Sequence, residues 1–175
     1  MRALVVYESM FGNTGLIAEA IADGLALHGV VERVEVGEAP DLISPEIDLV
    51  VVGGPTHAFG LSRPGTRSSA ANETEGPLVS TGIGLREWLE RIAPQKGNVS
   101  SAAFDTRVDE PRVPGSAAAG AAKRLRRLGF HQLVAPESFF VVGTTGPLLA
   151  GEYERAHRWG ESVGSRFATK RTVSH

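Results

Sequence analysis

Cysteine is absent from the 175 residues. Disulfides, thiolate catalysis, iron–sulfur clusters and cysteine-based zinc sites are thereby excluded, so any redox chemistry must use a bound cofactor. A surplus of one charge is missing too: 18 Lys and Arg stand against 20 Asp and Glu, a net charge of −2. Such a chain has no global field to hold it on nucleic acid or an anionic membrane, and a diffusible small ligand is the expected partner. No apolar run reaches the length of a membrane span or a signal core, because Met1 to Val6 turns polar at Tyr7-Glu8-Ser9; a cytoplasmic protein is expected. The five histidines show no H-E-x-x-H spacing and no serine sits in a G-x-S-x-G elbow, so neither a metal centre nor a hydrolytic triad is predicted.

What is present is an alternation of strands and helices. The run Ala3 to Tyr7 has no polar alternation, as expected of a central strand covered on both faces. Ile17, Ile21 and Leu25 then recur every four residues, which predicts an amphipathic helix from Asn13 to about His28. Val30 to Val36, carrying Glu32, Arg33 and Glu35, reads as an edge strand. Between Gly37 and Pro45 any helix is one or two turns at most. Asp48 to Val52 is the clearest buried strand and opens into a polar stretch from Thr56 to about Gly82. A loop of that length, with 61–81 at its centre, is either a binding element or a flexible insertion.

Leu85, Trp88, Leu89 and Ile92 have helical spacing up to Pro94, and Val99 to Phe104 is the next strand. A charged loop from Asp105 to Pro114 leads to Ser116, an N-cap for an alanine-rich helix ending at Gly129. Gln132 to Val142 is a last strand interrupted near Pro136, and Glu152 to Ala168 is a closing helix with Tyr153, Ala156, Gly160, Val163 and Phe167 on one face. The basic residues Lys123, Arg124, Arg126 and Arg127 are interrupted by Leu125 and Leu128, so they read as a solvated helix face, with docking of an acidic partner as the alternative. Alternating strands and helices require parallel pairing with right-handed crossovers. The expectation is a single α/β domain over 1–175, doubly wound on a five-stranded parallel sheet in the order 2-1-3-4-5, with its site at the carboxyl ends of the strands.

Three loops lie at those ends. The first, Glu8 to Gly15, joins a buried strand to a helix amino terminus, where free N–H groups and the helix dipole favour an anion. It lacks the G-x-G-x-x-G of dinucleotide folds and the Gly-Lys-Ser/Thr of triphosphate loops, which favours a phosphomonoester. Here the chain resembles the flavodoxin family, whose phosphate loop ends in Gly-Asn-Thr at the same junction; the matching positions are Ser9, Met10, Phe11, Gly12, Asn13 and Thr14. Met10 and Phe11 stand where the family often has hydroxyl residues, so backbone must replace side-chain contacts to the phosphate. The resemblance implies a flavodoxin-like fold and FMN as cofactor.

The second loop, Gly53 to Gly60, resembles the flavin loop of flavodoxin-like quinone reductases as well as that of flavodoxins, which implicates Pro55 and Thr56 and offers His57 and Phe59 as ring-facing groups. In the third, the resemblance places Asp105, Thr106 and Arg107 beside the ring, where an arginine would favour a reduced, anionic flavin. An exposed Asp–Arg pair taken alone is worth almost nothing. The leading expectation is an FMN-binding electron-transfer protein working with redox partner proteins. Two alternatives stay open: an NAD(P)H or quinone oxidoreductase that uses the long loop as a substrate wall, and a module that keeps the fold but has lost FMN.

Overall fold

A computed structural model describes residues 1–109 and 114–173; positions 110–113 of the expected Asp105–Pro114 loop lie outside the described residues. The elements in chain order are β1 (Arg2–Tyr7), α1 (Asn13–Ala26), β2 (Val30–Glu35), β3 (Leu49–His57), β4 (Gly60–Leu61), α2 (Pro64–Ala71), α3 (Leu85–Arg91), β5 (Ser100–Val108), α4 (Ala117–Arg127), β6 (His131–Gln132), β7 (Glu137–Val141) and α5 (Glu152–Val173). A 3-10 turn at Val36–Glu38 is all the helix that the proline-broken 37–45 region forms. The parallel strands run β2-β1-β3-β5, and β6 and β7 both pair with β5, as one fifth strand broken around Pro136. The expected 2-1-3-4-5 order is therefore the order observed, and β2 is its exposed edge.

Because successive strand residues point to opposite faces, the sheet divides the core into two layers. Leu4, Val6, Val50, Val52 and Ala103 face α3 and α4, where Leu85, Trp88 and Leu125 are buried. Ala3, Val5, Leu49, Val51 and Phe104 face α1 and α5, against Ile17, Ile21, Val163 and Phe167. On that second face Phe104, Phe139 and Trp159 meet edge-on, with centroids 6.1 to 6.4 Å apart.

Two differences from the sequence reading bear on the site. Strand β3 continues past Val52 to His57, because Gly53, Gly54 and Pro55 keep pairing with Phe104, Asp105 and Thr106 of β5. The 61–81 stretch is not a bare loop: β4 pairs back on β3 as a hairpin and α2 follows, with Pro64 at its first turn. Gly53 is required where it stands, since a β-carbon there would lie 2.0 Å from the Phe104 ring. That ring is held by Phe139 and Trp159 and has nowhere to move. Gly53→Ala is expected to lower stability by about 2 kcal/mol or more, the upper range for overpacking, measured as a drop in urea midpoint at unchanged slope.

Candidate functional site

The first site element is the turn from β1 into α1. Gly12, with φ of 94°, is the N-cap of α1; as a glycine it offers no side-chain cap, and the first turn of the helix holds no acid. The Oγ of Ser9 accepts the N–H groups of Gly12 at 3.1 Å and Gly15 at 3.2 Å. The helical ladder begins with Leu16 N–H on the Gly12 carbonyl, at 3.0 Å. Asn13 and Thr14, whose amides precede the ladder, both line the cleft at the positive end of the helix dipole. The Asn13 side chain donates to the Thr145 carbonyl at 2.9 Å and so ties this turn to the 143–147 loop. Thr14 and Thr106 share a buried hydroxyl hydrogen bond of 2.7 Å between α1 and the end of β5. Met10 is only 2% exposed, and its carbonyl accepts Val79 N–H at 3.1 Å.

The second helix that starts at this end of the sheet is treated differently. Asp105 is fully buried on the α4 face, and its Oδ2 accepts Ser116 Oγ at 2.5 Å, Ala118 N–H at 3.0 Å and Thr56 Oγ1 at 3.0 Å. Thr56 Oγ1 in turn accepts Ala117 N–H, and Ser116 Oγ accepts Ala119 N–H. The amino terminus of α4 is thus neutralised by the protein itself, and the Asp105 side chain is engaged there, while its neighbours Thr106 and Arg107 line the cleft. Its other oxygen, Oδ1, is buried and has no partner among the described residues.

Between these elements lies a cleft of about 410 Å³, within the usual range for a small-molecule site. Ser9, Met10, Phe11, Asn13 and Thr14 line it from the first loop. The second loop adds Pro55, Thr56, His57 and Ala58, and the end of β5 adds Thr106 and Arg107. Three predicted residues do not line it: Gly12, whose part is the turn itself, Asp105, and Phe59, which is 58% exposed at the tip of the β3–β4 hairpin. Burial lowers the pKa of His57, against an opposing backbone contact with Thr66, so its imidazole is neutral at pH 7. Arg107 donates to the Gly115 carbonyl at 2.9 Å.

Sequence reasoning missed two contributors. One side of the cleft is α2, which presents Thr66, Ser69, Ala70 and Glu73; its sequence has no apolar period to reveal a helix. The other is Glu8, fully buried under the second loop. Its carboxylate accepts Ser62 Oγ at 2.5 Å and Leu85 N–H at 2.8 Å, and Ser62 accepts Arg67, which pairs with Glu87 at 3.1 Å. These partners lie more than fifty residues downstream, beyond the reach of any local pattern. Burial raises the pKa of Glu8 above its usual value, and the hydrogen bonds and the Arg67 charge only partly offset it.

A pKa raised on folding means that the native state binds more protons than the unfolded chain. Glu8 therefore makes stability fall as pH rises from about 4.5 through its folded pKa. Glu8→Gln is expected to remove that fall, read as a smaller difference in urea midpoint between pH 5 and pH 8 than in the parent protein. Asp105→Ala, which strips three donors of their acceptor, is expected to cost about 2 to 4 kcal/mol by the same measurement.

No family model matches the chain, and no curated protein matches its sequence. Solved structures do. A flavodoxin from the domain Archaea superposes with a TM-score of 0.65 at 20% identity, over 96% of this chain and 99% of that one. Oxidised flavodoxin 1 from Bacillus cereus gives 0.65 at 15% identity, over 97% and 98%. The rubredoxin oxygen:oxidoreductase of Desulfovibrio gigas gives 0.60 at 18% identity, over 97% of this chain and 36% of that longer one. The chain has the flavodoxin-like fold.

Proposed function

We propose that the protein binds FMN in this cleft and serves in electron transfer. The observation that carries the reading is the amino terminus of α1, which borders the cleft with no acid in its first turn and only the Ser9 hydroxyl on its amides, while that of α4 is neutralised by buried Asp105. An oxyanion is recognised by backbone amides at such a terminus without any lysine. The residues present fit a phosphomonoester: Ser9 shapes the turn through Gly12 and Gly15, and the amides of Asn13 and Thr14 take the anion. Buried Met10 supports the turn from below and gives the phosphate no hydroxyl.

Opposite, Pro55, His57 and Phe11 offer the apolar and ring surfaces that a flat heterocycle needs, and neutral His57 adds one hydrogen-bonding edge. Arg107 places positive charge at the rim, which favours an anionic state of whatever binds beside it. Bound FMN supplies one- and two-electron chemistry; the chain orients it, sets its field and restricts water. A role as carrier between redox proteins agrees with a fold shared by flavodoxins over nearly their whole length.

The α2 wall favours a second reading. Thr66, Ser69 and Glu73 form a polar side of the cleft beyond the three loops, suited to holding a small quinone for reduction by NAD(P)H. Steady quinone turnover with NAD(P)H alone would select this enzyme; a carrier needs separate donor and acceptor proteins.

FMN titrated into the apoprotein is expected to lose most of its fluorescence on binding. Riboflavin, lacking the phosphate, is expected to bind on the order of 100-fold more weakly, about 2.7 kcal/mol. Undiminished FMN fluorescence at saturating protein would end the reading, and equal affinities would end the phosphate assignment.

A further inference from the structure

The hairpin beside the cleft carries at its tip an aromatic side chain that the cleft does not use. Strand β3 ends at His57 and β4 begins at Gly60, so Ala58 and Phe59 form a two-residue turn, both with positive φ, 41° and 74°. Turns of this kind favour Asn-Gly, because a side chain in the left-handed region is strained and a phenylalanine especially so. Phe59 gains no burial in return, being 58% exposed. The tip is nonetheless held in place. Gly115 stacks against its backbone so closely that a β-carbon there would lie 2.0 Å from the Phe59 carbonyl oxygen, and Arg107 holds Gly115 by its own carbonyl. A strained, exposed aromatic on a fixed support has the form of a binding anchor.

Positive charge gathers next to it. Arg86 donates from Nε and Nη2 to the carbonyls of Ser62 and Leu61, at 3.0 and 2.8 Å. Arg124 of α4 reaches the same stretch, where its Nη1 and the side chain of Leu61 both border Gly120. Arg63 follows directly and is exposed. Burial lowers the pKa of Arg86, and the like charges of Arg124 and Arg63 lower it further, so both neighbours bring positive charge to Arg86 within one short patch. Among the described residues the carboxylates acting on Arg86 are Glu90 and Glu87, and Glu87 is engaged with Arg67 and with Gly84 N–H. The patch keeps an excess of positive charge in a chain whose net charge is −2.

We propose that Phe59 together with Arg63, Arg86 and Arg124 forms a docking surface for an acidic protein, with the phenyl ring entering an apolar recess and the guanidinium groups meeting carboxylates around it. Aromatic and arginine side chains are the groups that most often dominate protein interfaces, and arginine pairs with carboxylates in a planar, bidentate manner. A nucleic acid is the poorer fit: a lone aromatic and a short arginine stretch supply neither a run of stacking rings nor a long phosphate track. The surface adjoins the cleft through β3, so a partner seated there lies against the rim formed by His57 and Ala58. The inference does not depend on the identity of the cleft's ligand.

The test is an amide chemical-shift titration of the full chain with a synthetic peptide of alternating Asp, Glu and Leu with a central Phe. A peptide of the same pattern with Gln in place of its acids, and a single-stranded DNA oligonucleotide, serve as comparisons. Shifts are expected to centre on residues 58–63, 86 and 124, to weaken with salt, and to be absent with the Gln peptide. The double variant Arg63→Gln, Arg124→Gln is expected to bind at least tenfold more weakly. Phe59→Gly separates docking from folding: it is expected to lose binding to the same degree while its thermal midpoint rises, because the strain is released. Shifts centred elsewhere, equal binding of the Gln peptide, unchanged affinity in either variant, or tighter binding of the oligonucleotide would each overturn the proposal. So would an acidic peptide that does not bind at all.

Discussion

The buried carboxylate of Asp105 sets the character of the whole carboxyl end of the sheet. One oxygen gathers a hydroxyl from β3, a hydroxyl from the cap of α4 and an amide from its first turn. Two segments, the end of β3 and the start of α4, are fixed to one atom of β5, and the positive terminus of α4 is neutralised in the process. Of the two helices that follow β1 and β5, α1 is the one left without a carboxylate at its terminus, which favours an anion there over the start of α4. The arrangement comes at a cost, since charge is buried and the second oxygen has no partner among the described residues. A unique position for α4 is what that cost secures.

The frame was legible where burial imposes a period. The continuous apolar runs of β1 and β3, the four-residue recurrence in α1 and the spacing around Trp88 each mapped onto the observed element, because a two-sided core leaves little choice of residue. The site was less so. Pro64 to Ala71 is small and polar, and α2 is held by hydrogen bonds such as Arg63 N–H to Thr66 Oγ1, not by an apolar stripe. The Ala58-Phe59 turn has none of the Asn-Gly chemistry that announces a hairpin. The direction of Asp105 was available: if Phe104 faces α1 and α5, the next residue must face α4. Sequence resemblance drew attention to its position in the chain, whereas strand alternation decides which side it serves.

Electrostatics divides the molecule along the same line. Near the cleft the ionisable groups are few and individually placed: neutral His57, Arg107 at the rim and Glu73 on the far wall. On the other side of the hairpin they are concentrated, and positive charge is in excess. At the opposite edge of β5, Glu152 accepts Phe140 N–H at 2.8 Å and two bonds from Arg155, which also reaches Glu137. Burial works against ionisation of Glu152, but these bonds outweigh it and hold its carboxyl below the usual range. That clasp secures β7 to α5 and so places Val141 and Thr144 on the cleft wall.

The attachment of the 58–85 excursion through Glu8 has a further consequence for the mouth of the cavity. Its anchor is the residue that directly follows the central strand, and Ser62 and Leu85, one near each end of the excursion, both reach it. Swinging the segment outward would strip both donors from an acid in the interior. The segment is thus pinned near both ends to the interior, and the width of the cleft mouth is set by the fold itself.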